Sequence, residues 1–322
     1  MQPDPYTQLR VGDIMIFVTR SMQVNPPDMV SFWQAMARNS TAIGYGNVVA
    51  LSDGAYLLGD PTLGSQVFIR DCYPELLDAC MKLTRDEAEC PRLVIFGNSG
   101  IGKTFFGLVL LLHLTRAHAT VVYGCGESGQ RFLFSPGLVV QGSDQDFLGV
   151  LDESTTSKLL PMQDGFIVSA KALTLMPMWS KDETMKCHAL MYSGKVSAEK
   201  EEDCYRRWGG NARYVLHNAT STSHQVQLQI ALVSVNLNSL VTACRRLNAD
   251  DYHALHNLLH YRVTKCFQKE CLGFASRYVQ EEVYKRLYKQ NKDKLLEFLA
   301  VVDDFGPDDV LRGLLRGTAV PS

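Results

Sequence analysis

Apolar positions along the first 90 residues come in short groups. Gly12 to Thr19 reads as a strand, and Pro26-Pro27 ends it. Met29 to Ala37 places Val30, Trp33 and Ala37 on one helical face. Gly44, Gly46, Gly54, Gly59 and Gly64 then divide short pieces such as Val48 to Leu51, which predicts hairpins. Tyr73 to Leu83 sets Leu76, Leu77, Cys80 and Leu83 on one face, with Pro74 at a position a first helical turn tolerates. From residue 91 the rhythm changes. Leu93 to Phe96 and Thr120 to Tyr123 are unbroken strand-like runs, and between them lies a helical run from Thr104 to Arg116. Strand, glycine turn, long helix and strand make a βαβ unit, which predicts a parallel sheet. After about residue 225, Leu228 to Leu247, Tyr252 to Cys271 and Tyr278 to Phe298 carry apolar residues at three- and four-residue spacing, which predicts helices. The expected organisation is a mixed lead-in over 1–90, an α/β core over 91–220 and an α-helical subdomain over 221–322.

Composition narrows the class. The 322 residues are 46% hydrophobic and 20% charged, with a formal net charge of -2, which suits a globular chain with a sizeable core. That balance gives no whole-molecule field for nucleic acid or anionic membrane. The longest apolar run, Phe105 to Leu112, falls far short of the roughly 18 residues of a membrane span, so no membrane association is expected. Nine cysteines without a C-x-x-C pair read as free buried thiols in a reducing compartment. The first residues lack the basic and apolar regions of a secretory signal. An intracellular setting, cytoplasmic or nuclear, is therefore expected.

The strongest chemical signal is Gly97-Asn98-Ser99-Gly100-Ile101-Gly102-Lys103-Thr104, which satisfies G-x-x-x-x-G-K-[ST]. Glycines allow the tight turn that aims successive backbone amides at phosphate oxygens, and a helix beginning at Lys103 adds its positive end. Lys103 would reach the β- and γ-phosphates, and the Thr104 hydroxyl would ligate Mg²⁺. An apolar strand before the motif and an apolar helix after it are the context this chemistry requires. The fold class expected from it is an α/β P-loop NTPase core with a parallel sheet.

Such a site needs an acid for the metal and a base for the attacking water. Phe147 to Glu153 has the shape of a strand ending in Asp152, a candidate Mg²⁺ partner, followed by Glu153, a candidate base. The same residues also fit an amphipathic helix beginning at Asp146. Asp164, ahead of Phe166 to Ser169, is the rival metal partner, and Ser169 is a candidate polar sensor at that strand's end. Arg206, Arg207 and Arg213 surround Trp208-Gly209-Gly210. Arg213 is the candidate that stabilises transition-state charge, although capping a helix or pairing with the acids of Glu199 to Asp203 is at least an equal alternative for these arginines. Trp179 and Trp208 read as packing residues.

Two smaller signals remain. His253, His256 and His260 would share a helical stretch, where core or surface histidines are commoner than a metal site without an intervening Glu. Residues 245–294 hold eleven Lys or Arg against six Asp or Glu, with Tyr261 interleaved, a weak nucleic-acid signal that solvated helices also give.

The ordered landmarks resemble the P-loop NTPase module of Crinkler-type effectors and the related retrotransposon hot spot proteins. They are Val67 to Tyr73, Gly97 to Thr104, Thr120 to Tyr123, Met176 to Ser180 with Glu183, Trp208 to Gly210 with Arg213 to Leu216, His256 to Tyr261, and Phe274 to Val279. The resemblance spans about residues 47 to 300. It implies Mg²⁺-dependent ATP hydrolysis that drives or regulates a protein partner, and delivery to a host cell or host nucleus. Residues 147–172 are compressed relative to that family, which motivates an alternative, a nucleotide-dependent interaction module with little or no hydrolysis. Many relatives continue into a nuclease-like or kinase-like domain near the position of Arg312 to Leu315. The chain ends at Ser322, so no nuclease activity is expected.

Overall fold

The computed structural model describes residues 8–11, 14–85, 92–125, 129–143, 145–147, 157–162, 165–169, 172–240, 255–290 and 292–293. The chain divides into two compact units, Met1–Phe96 with Lys103–Thr174, and Gly97–Gly102 with Leu175–Ser322. This differs from the three segments expected above. The lead-in does not stand apart, because its elements pack on the sheet that follows, and residues 97–102 group with the later part of the chain.

In the first unit the elements are β1 (Gln8–Val11), β2 (Ile14–Phe17), β3 (Gln23–Val24), α1 (Pro27–Arg38), β4 (Val48–Ala50), β5 (Gln66–Phe68), α2 (Cys72–Arg85), β6 (Arg92–Phe96), α3 (Lys103–Arg116), β7 (Val121–Cys125), β8 (Gln130–Ser135), β9 (Leu138–Ser143), β10 (Ser157–Met162), β11 (Gly165–Ser169) and β12 (Ala172–Leu175). Helix α1 starts on Pro27 and buries Met29, Phe32, Trp33 and Met36, which share one face. Trp33 stacks on Phe134 of β8 at 4.7 Å between ring centres and donates its indole N–H to the Ser135 carbonyl. Those contacts tie the lead-in to the sheet. Helix α3 is buried at nearly every position from Phe106 to Leu112, as expected of a helix that is apolar all round.

The main sheet has eight strands in the order β12-β6-β11-β10-β7-β8-β9-β3. Here the expectation of a parallel sheet is corrected. Among the registers described, only β10 with β7 is parallel, while β11 pairs antiparallel with both β10 and β6, and β7, β8, β9 and β3 form an antiparallel series. The cause is connection length. Pro136-Gly137 joins β8 to β9, and Met162 pairs with Gly165 only three positions along the chain. Such links can only make hairpins, because a parallel pair needs a crossover of a dozen or more residues. The crossover through α3 does join like-directed strands. Following the pairings, β6, β10 and β7 all run the same way.

Asp146 closes a turn beside this sheet. Its carboxylate accepts from Thr19 Oγ1 and Ser21 Oγ, both at 2.6 Å, and from the Ser143 backbone N–H and hydroxyl. Burial disfavours the charge, but these donors outweigh it and hold the carboxyl well below the usual range. Asp146 thus anchors a turn; residues 148–153, on which the alternative helix would run, lie outside the described residues.

The second unit contains α4 (Lys181–Cys187), α5 (Ala198–Trp208), α6 (Thr222–Ser234), β13 (Leu259–Val263), β14 (Lys269–Phe274) and α7 (Arg277–Gln290). Single π-helical turns follow α4 at His188–Tyr192 and precede α6 at Arg213–His217. Its core gathers Trp208, Val215, Leu228, Leu232, Leu258, Val279 and Val283. The helix expected over Tyr252 to Cys271 is corrected to an antiparallel hairpin, Leu259 opposite Phe274 and Tyr261 opposite Leu272. Leu259, Tyr261 and Val263 alternate with His260 and Arg262, so a two-residue period wins over the three- and four-residue one. His256 therefore sits in a turn and His260 on a strand, not on one helix; His253 lies outside the described residues.

Candidate functional site

The segment from Gly97 to Gly102 is a loop between β6 and the first residue of α3, Lys103. Gly100 has φ +78° and Gly102 has φ +98°, backbone conformations that residues with a Cβ rarely adopt. Lys103 is buried, 8% exposed, and Thr104 is exposed at the start of the helix. β6 ends at Phe96 and α3 begins at Lys103, the order of strand, glycine turn and helix expected from the sequence.

What holds the loop is a set of hydrogen bonds to residues far along the chain. The Ser99 carbonyl accepts from Asn211 Nδ2 at 3.0 Å. The Gly100 carbonyl accepts from the Arg213 backbone N–H at 3.1 Å, and the Ile101 carbonyl from Trp179 Nε1 at 2.8 Å. Three successive carbonyls are thus turned toward residues of the second unit. Every peptide bond described is trans, and in a trans peptide the N–H of the following residue points opposite to the carbonyl. The amides of Gly100, Ile101 and Gly102 are accordingly directed away from Asn211, Arg213 and Trp179.

Two further contacts fix the ends of the loop. Buried Asn98 brackets the Tyr261 backbone on β13, accepting from its N–H at 3.0 Å and donating to its carbonyl at 3.3 Å. Arg213 Nη1 donates to the Ser99 hydroxyl at 3.2 Å.

The segment that carries Asn211 is itself built for close approach. Gly209 ends α5 with φ +59°. A Cβ on Gly210 would run into the backbone of Trp179, whose N–H donates to the Gly210 carbonyl at 3.1 Å. Trp208 is fully buried, stacks on Tyr214 at 3.8 Å between ring centres, and donates to Gln225 Oε1 at 2.8 Å. Gln225 in turn donates to the carbonyls of Tyr214 and Asn218, which supports the π-helical turn. That turn is closed by Asn218 N–H donating to the Arg213 carbonyl at 2.7 Å. On the other side, Ser180 and Glu183 form a reciprocal capping box that starts α4 directly after Trp179.

The three arginines weighed in the sequence are separated by the structure. Arg206 and Arg207 pair with Asp203 at 2.8 and 3.0 Å, which is the bland alternative, while Arg213 lies on the loop. Asp152, Glu153 and Asp164 lie outside the described residues. Ser169 does not fit a sensor at the loop end of its strand. Because β11 runs antiparallel to β6, Ser169 pairs with Arg92 at the start of β6, and Gly165 pairs with Phe96, the residue before the loop. Sequence reasoning missed Asn211 and the indole N–H of Trp179. The stretch Trp208-Gly209-Gly210-Asn211-Ala212-Arg213 marks a tight turn around Asn211, but nothing in it points to the loop or to Trp179.

Burial holds the His260 imidazole down at about 4, against an opposing hydrogen bond at the His256 backbone. Among the described residues no group of three His, Cys, Asp or Glu could hold a metal ion. Within the basic run, Arg277 pairs with Glu281 and Lys285 with Glu282. Among the described residues no helix is long and apolar enough to cross a membrane. No family model, curated protein or solved structure matches the chain.

Proposed function

We propose that the chain binds ATP with Mg²⁺ on residues 97–104 and hydrolyses it to drive or regulate a protein partner, as in the Crinkler-type and retrotransposon hot spot modules it resembles. The observation that carries this reading is the loop, whose three successive carbonyls at Ser99, Gly100 and Ile101 are tied outward and whose glycine turn leads straight into α3. The residues present fit the ligand. Backbone amides and a helix N-terminus suit phosphate oxygens, the Lys103 ammonium suits the β- and γ-phosphates, and the Thr104 hydroxyl suits an octahedral Mg²⁺. Arg213, held at Ser99, is the cation that would offset charge developing on the phosphoryl group. Bound Mg²⁺ would neutralise the phosphates, with Asp152 or Asp164 as its acidic partner, and Glu153 would polarise the attacking water.

Turnover tests the hydrolytic half of this reading. The wild type is expected to release phosphate from ATP in Mg²⁺, and Glu153→Gln to retain bound ATP while release falls by about a hundredfold or more. Binding without release in the wild type would instead favour the nucleotide-dependent interaction module.

A further inference from the structure

Helix starts leave backbone N–H groups without partners, and an asparagine beside such a start ordinarily turns its side chain back to cap them. Asn211 does otherwise. It lies just ahead of the helical turn at Arg213–His217, and its carbonyl accepts from the N–H groups of Tyr214 and Val215, yet its side chain leaves the turn and donates to the Ser99 carbonyl. The Arg213 N–H of that same helix start is also spent on the loop, at Gly100. Asn211 is 2% exposed, and its Oδ1 is buried with no hydrogen-bond partner among the described residues. That oxygen occupies the space a Cβ on Gly100 would need. Leaving an amide oxygen buried and unpaired is costly, and an apolar residue of similar shape would avoid the cost. The side chain is therefore kept for its N–H, which orients one peptide of the loop.

We propose that Asn211 is a positioning residue for phosphate binding: by holding the Ser99 carbonyl outward it presents the Gly100 amide to a phosphate oxygen. This rests on the reading of residues 97–104 as a nucleotide site and extends it to a residue that touches no ligand. It also gives Gly100 a second reason to be glycine, since any side chain there would displace the Asn211 amide.

Calorimetric titration of Mg·ATP and of Mg·tripolyphosphate into wild type, Asn211→Ala and Asn211→Asp tests the proposal. The wild type is expected to bind both ligands. Asn211→Ala should bind both about tenfold more weakly, the worth of one neutral hydrogen bond, with the same fractional loss for each because the effect is on phosphate alone. Asn211→Asp keeps the shape but lacks the donor and should lose at least as much, which covers the case in which the alanine variant is unstable. Wild-type affinity in both variants, or a loss for ATP without a loss for tripolyphosphate, would overturn the positioning role and leave the nucleotide site standing. Failure of the wild type to bind either ligand would overturn the site and the positioning role together.

Discussion

Trp208→Ala is expected to lower the stability of the second unit by about 3–5 kcal/mol, the usual cost of deleting a large buried aromatic. Trp208 is fully buried, and three contributions are lost at once: its apolar packing in the second core, its stacking on Tyr214, and its N–H to Gln225. Stacking adds about 0.5–1.5 kcal/mol beyond area burial in comparable pairs. Trp208→Phe keeps part of the packing but no N–H, so it should fall between the wild type and the alanine variant. Urea unfolding followed by far-UV circular dichroism measures both. A midpoint unchanged in Trp208→Ala would mean that this stack is not what supports the segment carrying Asn211 and Arg213.

Gly210→Ala is expected to be as severe for a different reason. The added methyl would meet backbone atoms of Trp179, and backbone cannot rotate away as a side chain can. Overpacking usually costs about 1–3 kcal/mol, and a collision with main chain belongs at or above the top of that range. The consequence for function is larger than for stability. Pushing Gly210 from Trp179 loosens two of the three donors that tie the loop, the Trp179 indole and the Asn211 amide, so ATP affinity should drop further than in Asn211→Ala. Fluorescence titration with a nucleotide analogue alongside thermal melting reads both effects. A well-folded Gly210→Ala protein with unchanged affinity would break the link between the loop's carbonyl ties and binding.

Much of this was legible in the sequence wherever the signal is local. Helices α2 and α3 follow from their apolar residues, α1 was legible as a helix although Ala37, expected on its apolar face, is exposed, and the glycine turn between β6 and α3 follows from eight consecutive residues. The sheet was misread because strand direction depends on how short the links are, and the close pairings of β8 with β9 and of β10 with β11 outvote the βαβ unit of β6, α3 and β7. The hairpin of β13 and β14 was misread because Leu258, Leu259, Tyr261 and Val263 satisfy both periods, and only pairing with Leu272 and Phe274 decides between them. The residues that tie the loop were hidden for a third reason. Ser99 and Asn211 are 112 positions apart, and no local pattern in either segment names the other.

The most direct test of the central claim is calorimetric titration of Mg·ATP into the wild type and Lys103→Ala. Lys103 opens α3 at the end of the loop, and removing its ammonium deletes charge-assisted bonds to phosphate that are each worth about 1.5–3 kcal/mol. Saturable one-site binding by the wild type, weakened by about a hundredfold or more in Lys103→Ala at an unchanged melting temperature, is the predicted result. No heat of binding with the wild type, or equal affinity in the two proteins, would contradict it.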